Sequence, residues 1–283
     1  MLHRTTHTRE AGILAVMLLT VSLLVALAPP AAAGSLGEFF YPCTFSHRAN
    51  DDPIVYPGRP GASNSNDFVG NNTTDANSTA TKLYAGTTTC RVTADKSAYW
   101  YPTLLRNGVP QQPSGTSNPI HLYYRDPGVS GQPVAFPFGL KVIEGNQTAT
   151  SPQANWSKRI FWQCGDTTAS THYASPPDCP GSTLTLMVRF PYCWDGANTD
   201  SADHRSHMAY PVKGACPADH PVLVPQVQLH VQWAIQDGAS GAPLSLSSGS
   251  IYGMHAEFFD AWDTAGLKQL ISSCIVAGIS CHL

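Results

Sequence analysis

The chain has 283 residues, of which only 12% are charged, and a formal net charge of −3 at pH 7. This weak negative balance argues against nucleic acid or an anionic membrane surface as the main partner, and it leaves neutral or sugar-like ligands open. The length is within reach of one large β domain with a sizeable core.

The first 33 residues have the pattern of a secretory signal peptide. Arg4 and Arg9 precede an apolar run over residues 11–28, and three alanines at residues 31–33 follow it. This pattern predicts cleavage after residue 33, although an uncleaved membrane anchor is the alternative because the apolar run is just long enough to span a bilayer. We therefore expect residues 34–283 to be a secreted, extracellular protein with no membrane segment and a formal charge of −4.

Short runs with period-two alternation predict most of the fold. Apolar and polar side chains alternate over residues 183–190 and 227–233, and the runs at 120–124, 139–143 and 159–164 are rich in β-branched and aromatic residues. Proline and glycine, 23 of each, are scattered along the chain and indicate many turns. We therefore predict a mainly β, single-domain antiparallel sandwich or jelly-roll with long loops.

One short helix is predicted near the C-terminus. Asp263 or Thr264 can cap the segment TAGLKQLISSCIVAG, where apolar residues recur at helical spacing, and Gly278 is placed to end it. No internal repeat and no βαβ rhythm is present, which argues against a Rossmann or α/β-barrel enzyme.

All eight cysteines lie in the exported part of the chain. An even number of cysteines in an oxidising compartment predicts disulfides, but sequence alone leaves the connectivity open. No Cys-x-x-Cys motif occurs, so a zinc ribbon or a thioredoxin-like redox site has little support. Local closure favours Cys164–Cys179, Cys193–Cys216 and Cys274–Cys281, which leaves Cys43–Cys90.

The stretch CWDGANTDSADHRSHMAY, residues 193–210, gathers carboxylates and imidazoles in a sparsely charged chain. If it is extended, Asp203, Arg205 and His207 point to one face. If it is a helical turn, His204 and His207 lie on one side, as a pair of metal ligands requires. An ordinary loop, with an ion pair between Asp203 and Arg205 and with histidines bound to backbone carbonyls, is the alternative.

A second polar stretch, SIYGMHAEFFDAWD, begins at Ser250. An extended conformation places His255 and Glu257 on one face, with apolar side chains on the other. This arrangement suits a metal chelate or a base oriented by a neighbouring acid. A strand whose solvent face happens to carry His and Glu is the alternative.

A third polar stretch is GASNSNDFVGN. Asn64 and Asn66 share a face if it is extended, and Asp67 lies opposite. Amides can orient a sugar hydroxyl or neutralise a carboxylate, but they are poor ligands for transition metals. A turn-rich polar loop is the alternative.

Several long runs resemble one family in their order and spacing. They are FYPCTFSHRANDDPIVYPGRPGASNSNDFVGN, TTTCRVTADKSAYWYPTLLRNG, FPFGLKVIEGN, FPYCWDGANTDSADHRSHMAYP, CPADHPVLVP and SGSIYGMHAEFFDAWD. Over roughly residues 43–275 the chain resembles the DUF1996 family, a domain of unknown function in secreted proteins of fungi and actinobacteria. The resemblance implies secretion and one domain, and it implies no particular activity.

This chain departs from the family pattern at one motif. The family typically reads S-H-x-H-x-F-x-G where residues 63–70 read SNSNDFVG, so amides replace both imidazoles. The family usually has Asp at the position of Glu257, and the matching His204, His207 and His255 remain. The resemblance therefore implies a His-rich centre of which this chain keeps half, which argues against a transition-metal site built on the H-x-H pair.

The leading hypothesis is a carbohydrate-active enzyme, a glycan hydrolase or lyase, that binds polysaccharide or cell-wall glycan in a polar cleft. For hydrolysis, Asp203 and Glu257 would be the acid and base, with His207 and His255 orienting them or the substrate. For elimination at a uronate, His207 or His255 would abstract the proton, while Asn64, Asn66 and Arg205 would neutralise the carboxylate. The candidate substrate-binding side chains are those of Asn64, Asn66, Asp67, Arg205, Trp194 and Tyr252.

Two other classes compete with this hypothesis. One is a non-catalytic cell-wall or glycan-binding protein with a degenerate site. The other is a metalloprotein in which a divalent metal is bound by His204, His207 and His255, with Glu257 as a further ligand. In each case we expect a monomer, with no cofactor other than that metal.

Overall fold

The computed structural model describes residues 1–2, 36–167 and 170–283. The predicted signal peptide lies outside the described residues, apart from Met1 and Leu2. Residues 35–283 form one compact unit. Its mainly β architecture, with antiparallel sheets and a short C-terminal helix, confirms the predicted fold class.

Seventeen strands form within the described part of the chain. They are β1 Glu38–Cys43, β2 Phe45–Ala49, β3 Asn66–Gly70, β4 Ala98–Pro102, β5 Leu104–Arg106, β6 Val109–Pro110, β7 Ile120–Arg125, β8 Lys141–Gly145, β9 Ile160–Cys164, β10 Leu184–Arg189, β11 Cys193–Trp194, β12 Met208–Ala209, β13 Val222–Leu223, β14 Gln226–Trp233, β15 Leu244–Leu246, β16 His255–Phe259 and β17 Ser280–His282. The helices are α1 Ala80–Ala85, α2 Trp156–Arg159 and α3 Thr264–Leu270, which continues as a π-helical turn over Ile271–Val276.

Two large sheets form the sandwich. The six-stranded sheet has the order β17-β1-β7-β14-β10-β9, and the five-stranded sheet has the order β2-β3-β4-β16-β8. Neighbouring strands are antiparallel except for β1 and β17. The five runs predicted from alternation and β-branched content correspond to β7, β8, β9, β10 and β14, so these predictions are confirmed.

The core lies between the two large sheets, where period-two alternation places apolar side chains of both. Leu229 and Val231 of β14 and Phe258 of β16 are fully buried in the same cluster. Burying side chains of this size stabilises the fold by about 1.5–3 kcal/mol each. A buried polar contact also joins the sheets, because Tyr41 of β1 and Tyr99 of β4 both donate hydrogen bonds to Asp95 at 2.8 Å.

The four disulfides are the three that local closure favoured, Cys164–Cys179, Cys193–Cys216 and Cys274–Cys281, and the remaining pair Cys43–Cys90. They are consistent with an extracellular protein. Among the described residues, no helix has the length and apolar character needed to cross a membrane.

The C-terminal helix begins where the sequence predicts. The side chain of Asp263 accepts hydrogen bonds from the backbone N–H groups of Ala265 and Gly266, which caps α3. Gly278 follows the π-helical turn with a φ of +68°, a left-handed conformation that favours glycine. The chain then enters β17, a parallel edge strand beside β1 that the sequence pattern did not predict.

Candidate active site

Strand β16 places His255 and Glu257 on the outer face of the five-stranded sheet. Glu257 is paired in register with Trp100 of β4 and Ile143 of β8, while Ala256 lies in the core on the opposite face. The predicted alternation of this segment is therefore confirmed. The strand begins only at His255, because the preceding residues 250–254 form a turn instead of the predicted extension.

A cleft of about 250 Å³ opens on this outer face. The loop at residues 203–205 and the loop at residues 146–148 form its walls, and β16 forms its floor. Two of the three polar stretches singled out in the sequence therefore meet in space. The lining residues are Val55, Ile143, Asn146, Gln147, Thr148, Asp203, His204, Arg205, His255 and Glu257.

The carboxyl group of Glu257 is buried and incompletely hydrogen-bonded. Its side chain is 3% exposed, and its Oε2 has no hydrogen-bond partner among the described residues. Burial raises the pKa of Glu257 well above its usual range, and the nearby carboxylate of Asp52 adds to the effect. Burial therefore favours the protonated form of Glu257, which is the form that can donate a proton.

His255 lies beside this acid as a neutral imidazole. Its Nδ1 is 2.8 Å from the backbone oxygen of Gly253, which can only accept, so Nδ1 carries the hydrogen. The lone pair is then on Nε2, which is 3.8 Å from Oε1 of Glu257. Burial lowers the pKa of His255 to about 4, so the imidazole beside the Glu257 carboxyl is neutral at pH 7.

The imidazole of His204 is oriented by the carboxylate of Asp200. Its Nδ1 is 2.8 Å from Oδ1 of Asp200, and the other carboxylate oxygen of Asp200 accepts from Lys141 Nζ at 3.0 Å. Although burial opposes it, the hydrogen bonds from His204 and Lys141 lower the pKa of Asp200. His204 Nε2 makes no hydrogen bond to the described residues, so a base with an orienting acid faces the cleft.

The backbone of His204 supports this interpretation. It has a φ of +57°, a left-handed conformation that is uncommon for a residue other than glycine. Such a conformation costs of the order of 1–3 kcal/mol and persists where surrounding contacts enforce it. Here the ring's hydrogen bond to Asp200 is one such contact.

Arg205 and Asp203 do not form the ion pair that the alternative, an ordinary loop, would contain. The Arg205 guanidinium donates to the backbone oxygens of Gly145 at 2.6 Å and Ile143 at 3.4 Å. Oδ1 of Asp203 accepts from the backbone N–H groups of Arg205 and Ser206 and from two serine hydroxyls, and these hydrogen bonds lower the pKa of Asp203. Asp203 therefore lines the cleft as a carboxylate that orders its loop, and it cannot act as the acid.

His207, a candidate base and metal ligand, does not face the cleft. Its side chain is buried, with Nδ1 2.9 Å from Ser201 Oγ and Nε2 2.6 Å from the backbone oxygen of Lys141. Both ring nitrogens are therefore occupied. Within the described residues no group of three or more His, Cys, Asp or Glu side chains is arranged to hold a metal ion, so the proposed three-histidine site is not formed.

The SNSND stretch also stays outside the cleft. Asn64 Nδ2 donates to Ser247 Oγ at 3.2 Å and to Asn66 Oδ1 at 3.1 Å. Asn66 is on the same face of the sheet as Glu257, but its own amide donates to the backbone oxygen of Asp51 at 3.0 Å. These amides are thus occupied by hydrogen bonds to each other and to the segments at Asp51 and Ser247.

The remaining predicted substrate-binding residues lie elsewhere. Asp67 is buried in a salt bridge with Arg48, on the opposite face of β3 from Asn66. Trp194 donates from Nε1 to the backbone oxygen of Asn198 at 2.6 Å. Tyr252 does not line the cleft.

Asp200 is the main site residue that the sequence reasoning missed. It lies four residues before His204, the spacing at which a helical turn brings an acid and a histidine together. This spacing of four residues could therefore have identified Asp200 from the sequence. Asp52, which adds to the pKa shift of Glu257, gave no local signal, because it reaches the site through the fold.

The comparisons with known proteins give one match. A family model described as a domain of unknown function, DUF1996, matches residues 52–262. No curated protein and no solved structure matches the chain. The matched range includes every residue that lines the cleft.

Proposed function

The chain belongs to the DUF1996 family, and from that premise we propose that it is a secreted enzyme that cleaves glycosidic bonds by acid–base catalysis. One observation carries the proposal: a buried carboxyl, whose pKa is raised by burial, and a carboxylate-oriented imidazole line the same cleft. Enzymes divide acid and base roles through environments that shift pKa values, and here burial raises the pKa of Glu257 while hydrogen bonds lower that of Asp200, the partner of His204.

In this proposal Glu257 is the general acid. It gives its proton to the glycosidic oxygen as the bond to the sugar carbon breaks, while the neutral ring of His255, with Nε2 3.8 Å from Oε1, places no positive charge beside the carboxyl. His204, held by Asp200, is the general base. These assignments replace Asp203 and His207 as candidates, because one is held ionised by its loop and the other has both ring nitrogens occupied.

The rest of the cleft favours a hydroxyl-rich ligand. Asn146, Gln147 and Thr148 supply amides and a hydroxyl, which can donate to and accept from sugar hydroxyl groups. The four disulfides are consistent with a chain that functions outside the cell. Polysaccharides are the hydroxyl-rich polymers that such an enzyme would meet there.

The test is turnover of a panel of polysaccharides by the protein purified without an affinity tag, measured as new chain ends. We expect cleavage of at least one glycan, and Glu257→Gln should lower kcat by about 10²- to 10⁴-fold because the proton donor is lost. Asp260→Asn is the matched control. Asp260 is another buried carboxyl whose pKa burial raises, but it lies outside the cleft, so its folded variant should keep its activity.

Two results would contradict the proposal. Glycan binding without new chain ends would identify a non-catalytic glycan-binding protein instead. An equal loss of activity in Glu257→Gln and Asp260→Asn would show that a general effect of removing buried carboxyls, and no proton donor, is being measured.

A further inference from the structure

A groove continues from the cleft along the protein surface. A hollow of about 570 Å³ shares Asn146, Thr148 and Arg205 with the cleft and extends over residues 149–154 to Arg159. A second hollow, of about 370 Å³, begins at Arg159 and reaches Lys158, Tyr192 and Tyr210. We call the cleft and these two hollows together the cationic groove, and it offers room for an extended polymer beyond the residue that reacts.

The cations of this groove lack carboxylate partners. Arg205, Arg159 and Lys158 have no carboxylate within ion-pairing distance among the described residues. By contrast, Arg48 and Arg106 are each paired with an aspartate. In a chain whose net charge is −3, a surface that concentrates unpaired cations is a candidate site for anionic groups.

The acidic residues of the groove do not neutralise these cations. Burial raises the pKa of Glu144, so this carboxyl is less readily ionised, and it forms no ion pair with Arg159 or Arg205 among the described residues. Oδ1 of Asp203 is taken up by hydrogen bonds within its own loop, and Asp203 forms no ion pair with Arg205. The hollow that begins at Arg159 has no acidic residue in its lining, so Arg159 and Lys158 remain available to an anionic group.

Arg159 is held in a geometry suited to a carboxylate. Its guanidinium carbon lies 3.8 Å from the ring centroid of Tyr210, and the Tyr210 hydroxyl donates to the backbone oxygen of Arg189 at 2.5 Å. Stacking fixes the plane of the guanidinium and leaves its N–H edges free, which is the arrangement for bidentate binding of a carboxylate.

We propose that the cationic groove binds a uronate-containing polysaccharide and that the enzyme cleaves it by elimination. This inference rests on the proposed function and names its substrate class. Arg205 would neutralise the carboxylate of the reacting uronate, which makes the hydrogen on the adjacent carbon more acidic. Arg159 and Lys158 would bind carboxylates of sugars further along the chain.

The reaction uses only groups of the cleft. His204 Nε2 takes the hydrogen from the carbon next to the uronate carboxylate, and the electron pair left on that carbon forms a carbon–carbon double bond. The bond from the neighbouring carbon to the glycosidic oxygen breaks, and Glu257 gives its proton to that oxygen. The products are an unsaturated uronate end and a free hydroxyl, no water is consumed, and proton exchange with solvent restores both residues.

The test compares a polyuronate with the same polysaccharide after its carboxyl groups have been reduced to alcohols. New reducing ends and ultraviolet absorbance from unsaturated ends are measured together. We expect one unsaturated end for every new reducing end on the polyuronate, and no unsaturated ends from the reduced polymer. Cleavage that yields reducing ends alone would overturn this inference and leave the proposed function standing, whereas no cleavage of any glycan would overturn both.

Arg159→Gln tests the groove without touching the reacting groups. We expect KM for the polyuronate to rise about tenfold, the usual effect of losing a charge-assisted hydrogen bond, with kcat little changed. The increase of KM with salt should also become less steep. The matched control is Arg91→Gln, because Arg91 is an exposed arginine with no carboxylate partner among the described residues and lines a different hollow.

Other polyanions define the outcomes against this inference. If a sulfated glycan and single-stranded DNA compete with the polyuronate as well as unlabelled polyuronate does, the groove is an unspecific anion surface and the inference is wrong. The same holds if Arg159→Gln and Arg91→Gln change KM equally.

Discussion

Two clusters of histidines and acids lie on the outer faces of the two large sheets. On the six-stranded sheet, the Asp166 carboxylate is bonded to His121 Nδ1 at 3.0 Å and to His230 Nδ1 at 2.7 Å. On the five-stranded sheet, His255 Nε2 and Glu257 Oε1 are 3.8 Å apart, beyond hydrogen-bond distance. The same residue types thus form a closed cluster on one face and an open one on the other.

The closed cluster satisfies its polar groups. His230 is buried and donates from Nδ1 to the Asp166 carboxylate, and its ring stacks on Tyr123 at a centroid distance of 4.3 Å. Although burial opposes it, the hydrogen bonds from the two histidines lower the pKa of Asp166. Such a carboxylate is ionised and partnered, and its contribution is to stability.

The open cluster leaves polar groups unsatisfied. A buried polar atom without a partner, such as Glu257 Oε2, destabilises a fold by about 1–3 kcal/mol. Groups of this kind, with strongly shifted pKa values and a cleft beside them, are concentrated at functional sites. The contrast teaches that hydrogen-bond saturation, and not residue type, separates a stabilising His–acid cluster from a candidate catalytic one.

The largest expected difference is in catalysis, and it separates Asp200, which orients His204 at the cleft, from Asp166 of the closed cluster. Asp200→Asn should lower kcat about 100-fold with little change in KM, because the protonated form of His204 loses the carboxylate that stabilises it. Asp166→Asn should leave kcat of the folded protein unchanged. Steady-state kinetics on the cleaved glycan measure both, and Asp200→Glu should recover part of the activity.

Equal losses of kcat in Asp200→Asn and Asp166→Asn would contradict this prediction, because the closed cluster would then be needed for catalysis as well. A loss in Asp200→Asn that is explained by unfolding would also count against the assignment. The Lys141–Asp200 ion pair makes that check necessary.

The next difference is in stability. Asp166→Asn should lower the free energy of unfolding by about 2 kcal/mol, since hydrogen bonds to a charged group contribute about 1.5–3 kcal/mol. Glu257→Gln should leave it unchanged or raise it at pH 7, because the variant removes a buried group that ionises on unfolding. Urea denaturation at pH 7 measures both free energies. A larger loss of stability in Glu257→Gln than in Asp166→Asn would show that the two clusters have been assigned the wrong roles.

Much of the fold follows from local patterns in the sequence. The alternation in β10 and β14 identifies both strands, and the same rule places His255 and Glu257 on one face. The disulfides follow from local closure because three of them join cysteines only 7, 15 and 23 residues apart. In each case the determinant is encoded within a short segment.

The site is less predictable because its partners are distant in sequence. His207 and His204 are equivalent in the local pattern, but His207 is fixed by the backbone oxygen of Lys141, 66 residues earlier. The histidines of the closed cluster likewise meet Asp166 across 45 and 64 residues. Which imidazole is free to react is therefore decided by tertiary packing, which no periodicity in the sequence reports.

The smallest and most specific difference is in the pH dependence of stability. The pKa of Glu257 is raised in the folded protein above its unfolded value of about 4.3. Between these values the folded state holds a proton that the unfolded state has released, so this group lowers the free energy of unfolding as pH rises, by up to about 1.4 kcal/mol per pH unit. His255 acts oppositely from its folded pKa of about 4 to its unfolded value of about 6.5, because there the unfolded state binds more protons.

Glu257→Gln removes the pH dependence of stability that Glu257 contributes and keeps the one that His255 contributes. The free energy of unfolding of the variant, relative to the wild type, should therefore increase as pH rises from about 5. The Asp166 carboxyl gives no such slope, because its pKa is lowered by folding and it is ionised in both states above about pH 5. Urea denaturation of the wild type and both variants at several pH values measures these slopes. A constant difference between Glu257→Gln and wild type would mean that Glu257 is ionised in the folded protein, which would remove the proton donor from the cleft.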